Sequence, residues 1–463
     1  MKKIIVVVLF ITFFLSSTMI VIEIYSYFVA NKSTYKEESV DFLVDFLWDQ
    51  DHGGFYSSRF NNESFPERGL HKYTSFNIWA TRALLYYSIF QKDNSTFENY
   101  GLKALNFIFT YLYNSTNKGI YHWVLQNGSL PDMSDERFNN SIYQIGTYQA
   151  WVLITLLEAY EYTGNMTYLN VWGKNLADFL IINLRDSSNG GFYERFLPYF
   201  DLIPDTKKYT WYQAWPTLAL MNYYEITGNE TMLYYANLTL EFMINYLWNT
   251  ELGCFIDYCL ENGTLTPDSQ VNLYDQAAAL LTISKVIDIT KDQTYLTEYL
   301  VPILNFTHKW LWSGEFKQFY AGCDTNKTNL DPTLRPSDLS LWLFALKRFI
   351  DVLNNSEIFD VEFSRNLLSQ SISHMNKVAW DYTSKGFYRK IYLNGTLIET
   401  EKWTIEQALP IFLFFQYFPE SHFNYFLFSV YLCILISTII LMVYISFKPK
   451  KRRKLKRKLL SKT

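Results

Sequence analysis

The sequence contains few of the residues that build disulfide frameworks or metal sites. Among its 463 residues are only 4 cysteines and 6 histidines. Cys433 lies in a long apolar run, and Cys254, Cys259 and Cys323 are an odd set, so no disulfide framework follows. No histidine stands at zinc-ligand spacing near these cysteines, and we expect neither a metal site nor a cofactor.

Basic residues are scarce outside the two ends of the chain. Of the 41 Lys and Arg, ten lie in the last 16 residues and two are Lys2 and Lys3, which leaves 29 in residues 31–423. The same range holds 44 of the 45 Asp and Glu, so its net charge is −15. Such a surface disfavours polyanions, and we expect no nucleic-acid partner.

Two long apolar runs predict membrane association. Residues 1–30 contain an apolar stretch behind two lysines, which is typical of a signal peptide or an uncleaved signal anchor. The 22 residues from Phe426 to Phe447 carry no charge and are long enough to span a bilayer. The basic tail 448–463 then predicts a cytoplasmic anchor that also contacts anionic lipid, by the positive-inside rule. A nuclear or nucleic-acid tag is the alternative for such a run.

These runs divide the chain into a signal segment (1–30), an extracytoplasmic domain (31–423), a transmembrane helix (424–447) and a cytoplasmic tail (448–463). The sequence holds 14 Asn-x-Ser/Thr sequons. About four would arise by chance, so the excess favours a domain that faces outward from the cell membrane. The sequons stand at Asn31, Asn62, Asn94, Asn114, Asn127, Asn139, Asn165, Asn229, Asn237, Asn262, Asn305, Asn326, Asn354 and Asn394.

One short signal, a glycine followed by an aromatic or apolar strand-like run, returns six times. The copies are 66, 71, 63, 61 and 72 residues apart. A regular period of this kind predicts repeated supersecondary units within one domain. The copies begin at Gly53, Gly119, Gly190, Gly253, Gly314 and Gly386.

Each repeat contains one apolar and one amphipathic helical segment. Helices that are apolar nearly all round are expected to be buried on both sides. Twelve helices in six pairs predict an all-α fold, an (α/α)6 toroid with short β-hairpins at one end, flanked by the two terminal hydrophobic helices. The inner helices are predicted at 74–90, 147–162, 211–226, 274–289, 337–352 and 404–416. The outer helices are predicted at 34–48, 95–113, 167–184, 231–248, 294–312 and 357–380.

The two ends of the toroid are expected to differ. At the back, Gly164 and Gly228 suit short loops with left-handed helix C-caps. At the front, Asn127, Asn262 and Asn394 each precede a glycine between alternating residues, which is a strong hairpin signal. Function usually resides on longer loops at one end of a rigid scaffold, so we place the site at the front.

A Lys-aromatic-Thr-x-x-Gln/Asn motif begins at Lys72, Lys208 and Lys402. A triplicated functional site is one interpretation. The stronger interpretation is a helix capping box, in which the Thr hydroxyl and the Gln amide satisfy free backbone groups. In either case the motif places the starts of the inner helices at the front.

Three acidic residues near inner-helix starts are the candidate catalytic groups. Asp275, Asp338 and Glu406 come from three consecutive repeats. Glycosyl chemistry generally uses two carboxylates, one as an acid and the other as a base or nucleophile. For each acid alone, stabilisation of the helix dipole is the more common role.

The candidate substrate-binding residues surround the same end. Trp211 and Tyr212 could stack on a sugar ring or pack in the core, and Gln213 follows them. His71 is the one histidine considered as a general base. Arginines that recur after the front strands could orient a sugar hydroxyl or carboxylate, with hairpin salt bridges as the alternative; they are Arg59, Arg195 and Arg389.

The chain resembles the six-hairpin glycosidase-like superfamily in three kinds of segment. These are the GGFY hairpins, the Lys-Tyr-Thr-x-x-Gln-Ala run from Lys208, and the TGN-x-T segments from Thr163 and Thr227. Within it, the chain is most similar to the N-acylglucosamine 2-epimerase and cellobiose 2-epimerase group and to the unsaturated glucuronyl hydrolases. The resemblance covers residues 35–418 and implies a carbohydrate bound in the toroid mouth. The epimerases have His at late inner-helix starts, where this chain has Asp338 and Glu406, a departure that favours hydrolysis.

The sequence therefore predicts a membrane-anchored carbohydrate-active protein, first a glycoside hydrolase that uses Asp275, Asp338 or Glu406. A sugar epimerase or isomerase that uses His71 and a carboxylate is the first alternative. A non-catalytic glycan-binding or cell-envelope protein is the second.

Overall fold

The computed structural model describes residues 35–417, except 61, 63, 133, 199–205 and 354–360. The predicted signal segment, transmembrane helix and basic tail lie outside the described residues, as do the sequons at Asn31 and Asn354. None of the helices within the described ranges is both long and apolar enough to cross a bilayer.

Six inner helices form a closed ring. Each packs on the inner helix before and after it, and the last packs on the first. Every predicted inner helix is present, with bounds that differ from the prediction by at most one residue. The inner helices are α2 (Thr74–Gln91), α4 (Gly146–Thr163), α6 (Thr210–Thr227), α8 (Leu273–Thr290), α10 (Pro336–Leu353) and α12 (Thr404–Tyr417).

Six outer helices pack around this ring. In α3, α5 and α9 a short central α-helix is flanked by π-helical turns, and α7 ends in one. The last outer helix, α11, packs on α10, and the first contacts the sixth hairpin, so the two ends of the domain meet. The outer helices are α1 (35–46), α3 (97–112), α5 (168–184), α7 (230–247), α9 (296–311) and α11 (Val361–Ala379).

A ring of six antiparallel strand pairs lies at the ends where the inner helices begin. In each pair, the strand that enters an inner helix pairs with the hairpin strand of the next repeat. The pairs are Lys72–Tyr73 with Trp123–Val124, Gln144–Ile145 with Arg195–Phe196, Lys208–Tyr209 with Tyr258–Cys259, Gln270–Asn272 with Gly322–Asp324, Thr333–Leu334 with Lys390–Tyr392, and Lys402–Trp403 with Ser58–Arg59. Two of these strand pairs have a third strand, Leu330–Asp331 in one and Leu397–Glu399 in the other. Two shorter hairpins pair Trp248–Asn249 with Cys254–Phe255 and Trp312–Ser313 with Gln318–Phe319.

The true register of the repeat is set by one buried residue per hairpin, which we call the bridge residue. Each bridge residue pairs with the residue seven positions earlier in the chain. All six are at most 2% exposed. They are Phe55, Ile120, Phe192, Phe255, Phe319 and Phe387.

The predicted capping box is wrong, because the amide of the motif crosses to the bridge residue. Gln213 Oε1 accepts from the Phe192 N–H at 2.6 Å, and its Nε2 donates to the Phe192 carbonyl at 2.8 Å. The Thr210 hydroxyl donates to the Ile256 carbonyl in the next hairpin. The same two-bond amide clamp recurs at Asn77, Gln149, Gln276 and Gln407.

One position of the repeat is left-handed throughout, and it holds glycine in three repeats and lysine in the other three. The residue two before the bridge residue has a φ of +54° to +84° in every repeat. Gly53, Gly190 and Gly253 occupy this position in three repeats, and Lys118, Lys317 and Lys385 occupy it in the others. Gly314 is not left-handed, and the predicted repeat signal was therefore three residues out of register there.

The lysine of the Lys-aromatic-Thr motif forms a buried ion pair. Lys72 Nζ donates to Asp49 Oδ2 at 2.6 Å, with side chains 0% and 1% exposed. The pair ties the residue after each outer helix to the strand before the inner helix. Equivalent pairs join Lys208 to Asp186 at 3.1 Å and Lys402 to Asp381 at 3.0 Å.

The fourth repeat replaces this ion pair by neutral groups. Asn249 stands at the position of Asp49, and Val271 stands at the position of Lys72. Asn249 Oδ1 still accepts from the backbone N–H groups two and three residues later, as Asp49 does. The fold therefore accepts either a complete ion pair or none.

We predict that Lys72→Val destabilises the protein by about 3–5 kcal/mol, because Asp49 is left buried without its cation. The double variant Asp49→Asn/Lys72→Val copies the fourth repeat, and we expect it to recover most of that loss. Denaturant unfolding of the purified full chain measures both free energies. Equal destabilisation by the single and double variants would contradict this account.

Candidate active site at the mouth of the toroid

The mouth is the end of the toroid at which the six inner helices begin. The three acids predicted from sequence all occupy the third position of an inner helix, in α8, α10 and α12. The same position is aromatic in α2, α4 and α6. The six residues around the mouth are Phe76, Tyr148, Tyr212, Asp275, Asp338 and Glu406.

Asp275 is buried beneath the rim of the mouth, at 1% exposure. Asn272 Nδ2 donates to Asp275 Oδ2 at 3.0 Å, and the backbone N–H of Trp211 also donates to this carboxyl. Burial raises its pKa well above the usual 3.8, and Asp257 and Asp338 add to the shift by charge repulsion. The surroundings of Asp275 therefore favour the protonated carboxyl over the carboxylate.

Glu406 is fully buried and is held by two donors from the preceding repeat. Its Oε1 accepts from Arg335 Nη2 at 2.9 Å, and its Oε2 accepts from the Ser337 N–H at 2.7 Å. Burial raises the pKa of Glu406, while the Arg335 guanidinium opposes the shift and Asp338 adds to it. Both oxygens of Glu406 are thus used by the protein itself.

Asp275 and Glu406 share one structural role. Each accepts from the backbone N–H of the second residue in the preceding inner helix, Trp211 or Ser337. Such N–H groups have no partner inside their own helix, so each acid caps the start of the neighbouring inner helix. Stabilisation of the dipole of their own helix stays a prediction for these acids.

Asp338 differs from both, because its side chain is 34% exposed. It lies 3.7 Å from Arg335 Nη1 and 3.4 Å from the Ser337 hydroxyl. Repulsion from this carboxylate also contributes to the raised pKa values of Asp275 and Glu406. Of the three predicted acids, Asp338 is the one that reaches solvent in the mouth.

A tyrosine and an arginine complete the acidic half of the mouth. Asn272 Nδ2 donates to the Tyr274 hydroxyl at 3.2 Å as well as to Asp275. The pKa of Tyr274 is raised, first by Asp275 and then by burial and Asp338. The pKa of Arg335 is raised chiefly by Asp338. These groups form one electrostatically coupled network.

The opposite half of the mouth carries aromatic rings and a fourth carboxylate. The Tyr212 hydroxyl lies 3.3 Å from Glu194 Oε1, and Arg195 Nη1 lies 3.5 Å from the same oxygen. Burial raises the pKa of Tyr212, and Glu194 adds to this by its charge. Burial raises the pKa of Tyr148 in α4, and the Arg335 guanidinium opposes that shift.

The histidine in the mouth is His122, and His71 lies beside it in a stack of rings. His122 contacts Tyr73 and Tyr148, with ring centroids 5.2 and 5.5 Å apart. Its Nδ1 is 3.3 Å from the Asn140 carbonyl, and burial lowers its pKa to about 4. His71 stacks on Trp123 at 4.4 Å, and burial lowers its pKa to about 4 as well.

The remaining predicted binding residues are already engaged by other parts of the protein. Gln213 uses its amide to clamp Phe192 and has no exposed surface, so we assign it a structural role. Arg59 donates to the carbonyl of Phe46 at the end of α1 at 2.9 Å. Arg389 forms a salt bridge with Glu399, the hairpin interaction named as its alternative.

The floor of the mouth is a cluster of tryptophans at the sixth position of α2, α4 and α6. The ring centroids of Trp79, Trp151 and Trp215 are 5.4 to 6.1 Å apart, and all three are at most 4% exposed. Trp211 meets Trp151 and Trp215 edge to face at 5.7 Å, and its own side chain is half-buried. Trp211 thus packs on the tryptophan cluster while part of its side chain remains exposed, and its stacking on a sugar ring stays a prediction.

A second ring of mouth residues lies two positions after the bridge residues, and sequence reasoning identified only Arg389 among them. His122, Glu194 and Asp257 occupy this position, and their carbonyls accept from the first N–H of the preceding inner helix at 2.8 to 2.9 Å. Arg389 occupies it in the sixth repeat, with its guanidinium over the Trp403 ring at 3.5 Å. An alignment of the repeats on the bridge residue is the signal that could have found them.

Within the described ranges, no cluster of His, Cys, Asp or Glu has the arrangement of a metal site. The mouth itself presents carboxyls, phenols, guanidinium groups and the imidazole of His122. This set supports proton transfer to and from a neutral polar ligand.

Solved structures of sugar-processing proteins share this architecture, whereas no family model and no curated protein sequence matches the chain. The chain is similar to a cellobiose 2-epimerase from Bacillus thermoamylovorans, at 14% identity and a TM-score of 0.68 over 83% of this chain and 99% of that one. A D-mannose isomerase matches at 13% identity with a TM-score of 0.65, over 82% of this chain and 96% of that one. A GH76 alpha-mannanase from Bacteroides thetaiotaomicron matches at 14% identity with a TM-score of 0.64, over 84% of this chain and 96% of that one.

These likenesses confirm the fold that the sequence resemblance implied. The chain has the (α/α)6 toroid of the six-hairpin glycosidase-like proteins. At this level of identity the comparison defines the fold and leaves the reaction open.

We predict that Asp275→Asn changes how stability depends on pH. The folded-state pKa of Asp275 lies above 3.8, so the folded protein keeps a proton that the unfolded chain has lost. Wild-type stability should therefore fall as the pH rises above 3.8, until the folded-state pKa is passed. Asparagine has no such titration, so the free energy of unfolding of the variant minus that of the wild type should increase with pH. A difference that is constant from pH 4 to neutrality would contradict the assignment.

Proposed function

We propose that this protein is a membrane-anchored, outward-facing glycoside hydrolase that binds a carbohydrate in the mouth of the toroid. The observation that carries this proposal is the set of three neighbouring carboxyls at one helical position, two buried and one open to solvent. Asp338 would act as the base or nucleophile, and Asp275 would supply the proton.

The division of labour follows from the environments of the acids. Glycosidases need one carboxyl that is protonated and one that is ionised near the same bond. Burial keeps a proton on Asp275, whereas Asp338 is exposed and lies next to the Arg335 cation. Pairs of titratable groups in such different environments are typical of acid and base assignments. Glu406, with both oxygens engaged, would position Arg335 and the α10 N-terminus.

The aromatic half of the mouth supports a sugar ligand. Trp211, Tyr212 and Tyr148 are half-buried and lie around the Trp floor, so each presents part of a ring to the mouth. Aromatic faces suit the apolar faces of sugar rings, and the phenol groups supply hydrogen bonds. The structural similarity to a cellobiose 2-epimerase, a D-mannose isomerase and an alpha-mannanase also supports a carbohydrate ligand.

We predict that Asp338→Asn lowers glycosidase activity by about 10²- to 10⁴-fold, because the ionised carboxylate is lost while the side-chain volume is kept. The assay incubates the purified chain with neutral and acidic oligosaccharides and detects products that gain one water by mass spectrometry. Asp331→Asn, an exposed acid in the same repeat, is the matched control and should keep full activity.

Two results would count against the hydrolase. The first is cleavage that survives Asp338→Asn unchanged. The second is the absence of cleavage across the panel together with measurable binding of the same oligosaccharides, which would favour the non-catalytic glycan-binding alternative. Asp275 and Glu406 accept backbone N–H groups whether or not the protein is an enzyme, so this outcome would not contradict the structural role of these two acids.

A sugar epimerase or isomerase is the second candidate, and His122 is the observation that favours it. This imidazole lies between Tyr73 and Tyr148 in the mouth, and its lowered pKa of about 4 keeps it neutral at physiological pH. A neutral imidazole can accept a proton from a sugar carbon or hydroxyl. The ring of His71, the base predicted from sequence, stacks on Trp123 beside His122.

For the epimerase we predict a product of unchanged mass with a new anomeric pattern in sugar NMR. The activity should fall by about 10²- to 10⁴-fold in His122→Asn, through loss of the base. His71→Asn is the comparison variant and should reduce activity less, because its ring is stacked on Trp123 at the edge of the mouth. Equal activity in His122→Asn and the wild type would remove this candidate.

The location of the enzyme is part of the proposal. The apolar run Phe426 to Phe447 would anchor the chain, with the basic tail 448–463 in the cytoplasm against anionic lipid. An outward-facing mouth would give access to polysaccharides or glycans outside the cell. The acidic net charge of residues 31–423 would favour neutral or cationic carbohydrates over polyanionic ones.

A further inference from the structure

The sequon asparagines lie preferentially on the open surface of the toroid. The structure describes the exposure of 11 of the 14; nine are exposed and two, Asn114 and Asn229, are half-buried. Of the 16 other asparagines whose exposure is described, seven are exposed. An outward-pointing acceptor is required because a glycan cannot be accommodated in a packed interior.

Seven of these sequons share one turn geometry. The side-chain oxygen of the asparagine accepts from the backbone N–H of the Ser or Thr two residues later, at 2.9 to 3.2 Å. This Asx turn occupies Oδ1, and at Asn127, Asn262 and Asn394 it leaves Nδ2 without a hydrogen-bond acceptor among the described residues. The seven are Asn62, Asn114, Asn127, Asn165, Asn229, Asn262 and Asn394.

Two hairpin tips are directed toward the outside of the ring. Gly128, with a φ of +84°, lies so close to Tyr111 of α3 that an added Cβ would be 2.3 Å from the ring. Gly263 has the same φ and the same relation to Tyr246 of α7, at 2.1 Å. Both turns therefore rest on an outer helix of their own repeat, and the adjacent Asn127 and Asn262 are held away from the mouth.

The third tip has the same arrangement in the last repeat. Gly395, with a φ of +87°, lies 3.5 Å from Val378 of α11, measured from an added Cβ. Asn394 before it is exposed, and its Oδ1 accepts from the Thr396 N–H at 2.9 Å. The three front Asn-Gly turns thus share an outward direction, an Asx turn and an open Nδ2.

We propose that Asn127, Asn262 and Asn394 are N-glycan acceptor sites, and that the folded domain carries these glycans around the outer rim while its mouth stays open. This goes beyond the proposed hydrolase function and does not depend on it. In the reaction, Nδ2 attacks the anomeric carbon of a sugar carried on a diphosphate leaving group. A carbon–nitrogen bond forms, the carbon–oxygen bond to the phosphate breaks, Nδ2 loses one proton, and the diphosphate leaves.

The test uses the full chain expressed in cultured insect or mammalian cells. The purified protein is treated with peptide-N-glycosidase in heavy-oxygen water, which converts a glycosylated asparagine into labelled aspartate. We expect label at all three tips by peptide mass spectrometry. Because Asn-Gly pairs deamidate spontaneously, a parallel sample without the glycosidase sets the background.

Matched variants separate glycosylation from deamidation. Ser129→Ala, Thr264→Ala and Thr396→Ala each keep the Asn-Gly pair and the backbone N–H that closes the turn. Each should lose the enzymatic label at its own asparagine only, with an unchanged melting temperature. A label that persists in these variants would show deamidation and overturn the assignment at that tip.

The chain also contains a natural control for the sequon itself. Asn249 occupies the same repeat position as the sequon Asn114 and forms the same Asx turn, but it is followed by Thr250 and Glu251. Asn249 should be unlabelled in the wild type and labelled in Glu251→Thr. Three unlabelled tips in the wild type would overturn the proposal, and so would label at Asn249 in the absence of a sequon.

Discussion

The free backbone N–H groups at the starts of the six inner helices are the constraint on which this structure depends. An α-helix leaves its first N–H groups without partners, and here six such ends meet at one mouth. The first N–H of α2, α4 or α6 donates to a hairpin carbonyl of the next repeat. The second N–H of α6 or α10 donates to an acid at the third position of the next inner helix. Pro336, the first residue of α10, has no N–H to satisfy.

This solution links the closure of the ring to the chemistry of its mouth. Each donor and its acceptor come from neighbouring repeats, so the pairs hold the repeats together around the whole circle. Two of the acceptors, Asp275 and Glu406, are buried carboxyls whose pKa values are raised because water is excluded from them. The groups that stabilise the helix ends are therefore also the groups best able to hold a proton beside Asp338.

Much of the fold follows from local patterns in the sequence. The inner-helix segments are apolar nearly all round in the sequence, and the bounds predicted from this pattern agree with the structure to within one residue. The left-handed C-caps at Gly164 and Gly228 follow from the properties of glycine at helix ends. These features depend on interactions within a few residues, and a single sequence displays them directly.

The features that the sequence did not predict depend on contacts between repeats. The residues around Gln213 do not reveal whether its amide clamps Phe192 or caps its own helix, since both roles use the same amide group. His122 and Glu194 were missed because the glycine used to count the repeat is not its structural origin. Once the bridge residue is taken as the origin, His122, Glu194, Asp257 and Arg389 fall on one position.

The order of the repeats around the ring divides the mouth into two chemically different halves. Repeats one to three place Phe76, Tyr148 and Tyr212 at the third helical position, and repeats four to six place three acids there. Since the ring is closed, these halves face each other across the mouth. Under the proposed function, a sugar chain that stacks on the aromatic half would present its glycosidic oxygen to the acidic half. The sequential order of the six repeats would then set the orientation of that ligand.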